Sequence, residues 1–226
     1  MGVNMQINQD ILTNDVPASN QTKEKFKVVE VENAAKRVLI LGNSITLHET
    51  KPEIGWNNNW GMAASSEEKD YVHVLLNALR HKYGKLSYCV ANVGEWEKNY
   101  FDEKVIEKFK GAKDFQADTV IFRFGENISK DNFEKYPLSG YVKAFAEYFT
   151  KNAKKVVMTD TFWAHGYICD TLQQVAKEKG YDFVTLADLG EQAENKALGL
   201  FEHAGVANHP GDLGMQKIAQ RILEKL

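Results

Sequence analysis

Arg37-Val38-Leu39-Ile40-Leu41-Gly42-Asn43-Ser44 decides how the rest of this 226-residue chain is read. Four consecutive apolar residues follow an arginine and stop at a glycine and a polar pair. A short apolar run closed by Gly-Asn-Ser reads as a buried parallel strand that delivers a serine to its carboxyl end. In open α/β sheets, ligands bind at that rim. Alone, a serine at a strand end is by default a helix cap. The remaining segments decide between the two roles.

Downstream the chain alternates between strands and helices. Besides the first core strand over 34–41, strands are predicted over 86–93, 119–124, 155–158 and 183–186. Residues 28–31 alternate weakly, as a short edge strand does. Ser65-Ser66-Glu67-Glu68 has the form of a capping box. The helix it opens runs through Tyr71, Val74, Leu75 and Leu79 and stops at Gly84. Phe101, Val105, Ile106 and Phe109 mark a second helix, closed at Gly111. Further helical stripes lie on Tyr141 to Phe149 and on Ile168 to Ala176, the latter capped by Gly180. Met215, Ile218, Ala219 and Ile222 mark a terminal helix that starts at Gly211-Asp212. Such alternation implies a parallel sheet with helices on both faces. Residues 1–25 are polar and read as an extended or mobile arm, and 26–226 as a single domain.

Composition narrows the function. Net charge is −3, which leaves no basic footprint for nucleic acid or an acidic membrane surface. No apolar run is long enough to span a bilayer. The first residues carry no secretory signal, so the expected location is cytoplasmic. Cys89 and Cys169 lack CxxC spacing and read as reduced thiols. No histidine, cysteine or carboxylate cluster has metal-site spacing, and no cofactor is expected.

Three strand ends finish in small polar signatures: Gly42-Asn43-Ser44, Asn92-Val93-Gly94 and Gly125-Glu126-Asn127. Asn208-His209-Pro210 precedes the last helix. A hydroxyl, an imidazole and several amide donors brought to one rim are the parts that acyl transfer requires. In this order the blocks resemble those of the SGNH hydrolase superfamily, the GDSL esterases and lipases. The resemblance runs from about residue 36 to the C-terminus. It implies a flavodoxin-like three-layer α/β/α sandwich with about five parallel strands. It also implies that Ser44 is the nucleophile and His209 its base, with Ser44, Gly94 and Asn127 forming the oxyanion hole. A small-molecule ester substrate follows from the same resemblance.

Two positions depart from the family pattern. Asn43 replaces the aspartate common in the first block, a change expected to be harmless. Val206 stands where the aspartate that orients the histidine usually lies, three residues before it. The expectation is therefore a Ser-His dyad with a backbone carbonyl on the far ring nitrogen, rather than Glu202 or Asp212. The irregular stretch 49–66 holds Trp56 and Trp60 around Asn57-Asn58-Asn59. Together with His48 these are the expected substrate contacts. Aromatic rings beside amides suit a sugar, which points to O-acetyl groups on carbohydrate, although plain loop packing accounts for them as well. Thioesterase, lysophospholipase or a non-catalytic ligand-binding role on the same fold are the alternatives, the last favoured by Val206.

Overall fold

The computed structural model describes residues 26–226. The arm expected over 1–25 lies outside the described residues. Six strands form one sheet: β1 Phe26–Val29, β2 Lys36–Gly42, β3 Leu86–Asn92, β4 Thr119–Arg123, β5 Lys155–Thr159 and β6 Asp182–Val184. Their order is β1-β3-β2-β4-β5-β6. The five strands from β2 to β6 are parallel, and β1 pairs antiparallel with β3 at the edge. The expected parallel core is present, and the edge strand expected over 28–31 forms two residues earlier, as β1.

The helices are α1 Tyr71–Tyr83, α2 Gly94–Asn99, α3 Glu103–Ile106, α4 Lys110–Asp114, α5 Lys130–Lys135, α6 Leu138–Thr150, α7 Gly166–Lys179, α8 Ala204–Ala207 and α9 Asp212–Leu223. Alternation along the strands sorts them into layers. Val38 and Ile40 of β2 face the apolar stripes of α1 and α9. Leu39 and Leu41 face the opposite layer, built by α2, α4, α6 and α7. Both faces of the sheet are covered, so the strands read as continuous apolar runs.

Two helix boundaries differ from the sequence reading. Asp70, rather than the Ser65–Ser66 pair, caps α1, its carboxylate accepting the His73 amide at 2.7 Å. The helix expected over Phe101 to Phe109 is broken into short pieces. Gly111 does not close it but lies inside α4, under the Phe26 ring, where a Cβ would sit 2.3 Å from a ring carbon. Any side chain there would push the Phe26 ring aside.

Register brings the three signatures together. Gly42 of β2 is level with Asn92 of β3 and Arg123 of β4. The chain turns at once after Gly42, with the Thr46 and Leu47 amides both donating to the Asn43 carbonyl. A Cβ on Gly42 would stand 1.8 Å from Thr46 Oγ1 and 2.7 Å from the Arg123 carbonyl. Only glycine permits this approach. Gly125 leaves β4 with φ of +133°, a conformation that L side chains rarely adopt.

Candidate active site

Ser44 Oγ lies 2.8 Å from His209 Nε2, across 165 residues of sequence. The other ring nitrogen, Nδ1, lies 2.7 Å from the Gly205 carbonyl oxygen. A carbonyl only accepts, so Nδ1 carries the proton and Nε2 presents its lone pair to the serine hydroxyl. Burial pushes the His209 pKa down to about 4. The Gly205 carbonyl opposes this shift, and the charges of His48, Arg123 and His203 add to it. The imidazole is therefore neutral at pH 7, as a base must be. A hydroxyl hydrogen-bonded to an imidazole that is itself oriented by a third group has the geometry of an activated nucleophile.

Neither nearby acid contacts the ring. Asp212 accepts the Ser65 amide and hydroxyl, each at 2.8 Å, and pairs with Lys69 at 2.9 Å. Glu202 is exposed. Val206 is buried in a satellite apolar cluster with Trp56, Met62, Ala63 and Ala197. The position where the family's aspartate would sit thus belongs to packing, while the α8 backbone supplies the acceptor.

The expected oxyanion donors are in three different states. The Ser44 amide has no acceptor among the described residues. Asn127 Nδ2 donates one hydrogen to Glu97 Oε2 at 2.5 Å and retains a second. The Gly94 amide departs from expectation, because Asn92 Oδ1 takes it at 2.9 Å in an Asx turn. Its backbone is nevertheless at the right place, since a Cβ on Gly94 would lie 3.5 Å from Asn127 Nδ2.

Beneath these groups lies a polar network that the motifs do not announce. Asn43 Nδ2 donates to Glu97 Oε1 at 3.0 Å and to Glu126 Oε2 at 2.5 Å. Its Oδ1 accepts from Arg123 Nη1 at 2.8 Å. Arg123 Nη2 pairs with Glu126 Oε1, which also accepts the Phe162 amide at 2.8 Å. Arg123 and Glu97 are fully buried. Burial pulls the Arg123 pKa below its ordinary value, and Tyr71, Glu97 and Asp160 offset this. The signal available in sequence was an arginine inside the apolar strand Thr119-Val120-Ile121-Phe122-Arg123, since arginine is almost never fully buried unless paired.

The tryptophan loop is placed differently from expectation. Trp56 is 0 % exposed and packs edge-on against Trp60 at 6.0 Å and tilted against Phe201 at 6.1 Å. Its indole N–H goes to the His48 carbonyl at 3.3 Å, and that of Trp60 to the Ala64 carbonyl at 3.0 Å. Trp56 therefore offers no face to a ligand and acts as a staple for its own loop. Trp60 and His48 are half-buried, His48 Nδ1 lying 2.7 Å from the Glu49 carbonyl. The aromatic ring beside the imidazole is Trp163, after β5, edge-on to His209 at 5.2 Å.

The chain matches no protein-family model and no curated protein. Solved structures do resemble it. The psychrotrophic esterase EstA from a Pseudoalteromonas species is 12% identical, with a TM-score of 0.53 over 84% of this chain and 96% of its own. A catalytic mutant of Axe2, an acetylxylan esterase from Geobacillus stearothermophilus, is 17% identical, with a TM-score of 0.50 over 85% and 94%. A GDSL-like lipase from Bacteroides uniformis is 13% identical, with a TM-score of 0.53 over 86% and 96%. The chain has the three-layer α/β/α fold of the GDSL/SGNH esterases and lipases. Among the described residues, no helix is long and apolar enough to cross a membrane.

Proposed function

We propose that this protein is a serine esterase that hydrolyses small acyl esters through an acyl-enzyme. The observation that carries this reading is the Ser44–His209 contact, with Nδ1 held by the Gly205 carbonyl. His209 takes the Ser44 proton as the oxygen attacks the acyl carbonyl. The oxyanion forms against the Ser44 amide and the second hydrogen of Asn127 Nδ2. His209 then returns the proton to the leaving alcohol, and the same base activates the water that releases the acid. Gly94 joins as a donor only when its amide leaves Asn92 or is shared with it. The acid of a triad is replaced by a dipole, so the imidazolium formed during attack is less stabilised than a carboxylate would make it.

Within this class we favour O-acetyl groups on carbohydrate. Acetylxylan esterases stand among the structures that share the fold. Trp163 supplies the aromatic surface beside the base. The decisive experiment combines turnover of 4-nitrophenyl acetate with labelling of Ser44 by a fluorophosphonate. Both are expected in the wild type and absent in S44A. A folded wild type that shows neither is a ligand-binding protein instead. A panel of acetylated sugars against longer acyl esters tests the substrate, and preference for long chains would overturn the carbohydrate reading.

A further inference from the structure

Glu97 is assigned no part by the motifs, yet of the two carboxylates near the site that each take three donors it is the one that holds Asn127. It lies three residues after Gly94, on the same short helix α2, and its side chain is fully buried. Three donors converge on it. Oε1 takes Asn43 Nδ2 at 3.0 Å and the Gly125 amide at 2.5 Å, and Oε2 takes Asn127 Nδ2 at 2.5 Å. These donors come from the ends of β2 and β4, so one carboxylate ties the nucleophile turn to the Asn127 turn.

The contact with Asn127 has a chemical consequence. A primary amide can be turned either way round. With Oδ1 toward Glu97, two acceptors would face each other in a buried site, which is costly. The carboxylate therefore selects the orientation in which Nδ2 is the inner atom. One of its hydrogens is consumed, and the amide plane then fixes the direction of the other. Gly94 lies beside that nitrogen.

We propose that Glu97 is a positioning residue, which fixes the flip and aim of the Asn127 amide so that its second hydrogen meets the developing oxyanion. The proposal rests on the esterase reading above. Glutamine is nearly isosteric with glutamate but cannot substitute for it. Whichever way its amide turns, an NH₂ faces either the Gly125 and Asn43 donors or Asn127 Nδ2. Either the clamp opens or Asn127 turns over.

The test is a double-mutant cycle on 4-nitrophenyl acetate turnover with E97Q, N127A and the double variant. Removing one oxyanion donor lowers kcat by about 10²- to 10³-fold, the fall expected for N127A. E97Q is expected to lower kcat by about 10- to 100-fold with KM within about twofold, and to add less than about threefold in the N127A background. Full additivity, an effect confined to KM, or wild-type kcat in E97Q would each overturn the proposal. A second measurement needs neither turnover nor a folded E97Q. In the ¹⁵N side-chain amide spectrum of the wild type, the Asn127 pair is identified by its loss in N127A. One of its two hydrogens is expected far downfield and slow to exchange, and an ordinary pair of shifts would overturn the clamp. A wild type that neither turns over ester nor reacts with fluorophosphonate defeats the esterase reading, and the amide spectrum alone then upholds or overturns the clamp.

Discussion

The two halves of the candidate site are built on different principles. The Ser44 side stands on the sheet rim, over buried side chains that hydrogen-bond one another: Asn43, Glu97, Arg123 and Glu126. The His209 side hangs on a loop after the single-turn helix α8 and is held by main chain. The His209 amide donates to the Val206 carbonyl at 2.9 Å, its carbonyl accepts the Ala197 amide at 2.9 Å, and its ring donates to the Gly205 carbonyl at 2.7 Å. Residues 202–205 are exposed, and the loop is anchored from below by apolar packing around Trp56 and Val206. The contrast teaches that the first half is specified by side-chain chemistry and the second by side-chain volume. Buried polar groups must all be paired, so one altered hydrogen-bonding atom disrupts several partners. Main-chain acceptors tolerate any side chain that keeps the loop in place.

The largest expected effect falls on the polar half. N43D would install the aspartate common in the first block of the SGNH hydrolases, which should be innocuous if Asn43 were only a turn residue. In this molecule it replaces a donor to Glu97 and Glu126 with a third carboxylate. An uncompensated buried charge costs about 3–5 kcal/mol, and a loss of this size is expected in urea unfolding. Unchanged stability would mean that the network rearranges freely. On the packing half, W56A removes a fully buried indole and is expected to cost about 3 kcal/mol. Its kcat and KM, measured well below the melting range, should stay within a few fold of wild type. A selective rise in KM for acetylated sugars would restore Trp56 to the substrate.

The pH profile probes the joint between the halves. In the proposed mechanism the base is neutral His209, whose pKa burial pushes down to about 4. The kcat/KM acid limb should therefore stay flat below the ordinary histidine value of about 6.5 and fall tenfold per pH unit only below about 4. Stability is a poorer readout, because two groups oppose each other. Between 6.5 and 4 the unfolded chain binds a proton on His209 that the folded chain lacks, so stability falls as pH drops. Burial raises the Asp160 pKa to about 6, so between that value and 3.8 the folded chain holds a proton the unfolded one has released, which adds stability as pH drops. The smallest effects are expected for E202A and D212A. If the Gly205 carbonyl orients the ring, turnover in both should remain within about threefold of wild type. D212A should lose about 1 kcal/mol of stability with its Ser65 contacts. A fall of several orders of magnitude in either variant would replace the dyad with a triad.

The sheet was legible because its signals are local. Apolar runs such as Val38 to Leu41 and stripes such as Met215, Ile218 and Ile222 declare their structure within one or two turns of chain. The polar strand ends were legible for the same reason. What escaped was pairing. Glu97 meets Asn43 from 54 residues away and Arg123 meets it from 80. The role of Trp56 stayed open between substrate and packing, because an aromatic residue among asparagines has the same composition whether it binds a sugar or staples a loop. That the Gly94 amide is already occupied was not legible, because its acceptor, Asn92 Oδ1, becomes available only once the Asx turn forms.

By itself, then, the sequence determined a doubly covered parallel sheet, with a serine, a glycine and an asparagine at neighbouring strand ends and a histidine before the last helix. Hydrophobic periodicity requires no knowledge of distant partners. Only the tertiary structure decided that a carbonyl of α8, and neither Glu202 nor Asp212, takes the His209 ring proton, and that one buried carboxylate holds Asn127. Hydrogen bonds are made or lost over fractions of an ångström, and those distances exist only after strand register and helix packing have brought remote segments together.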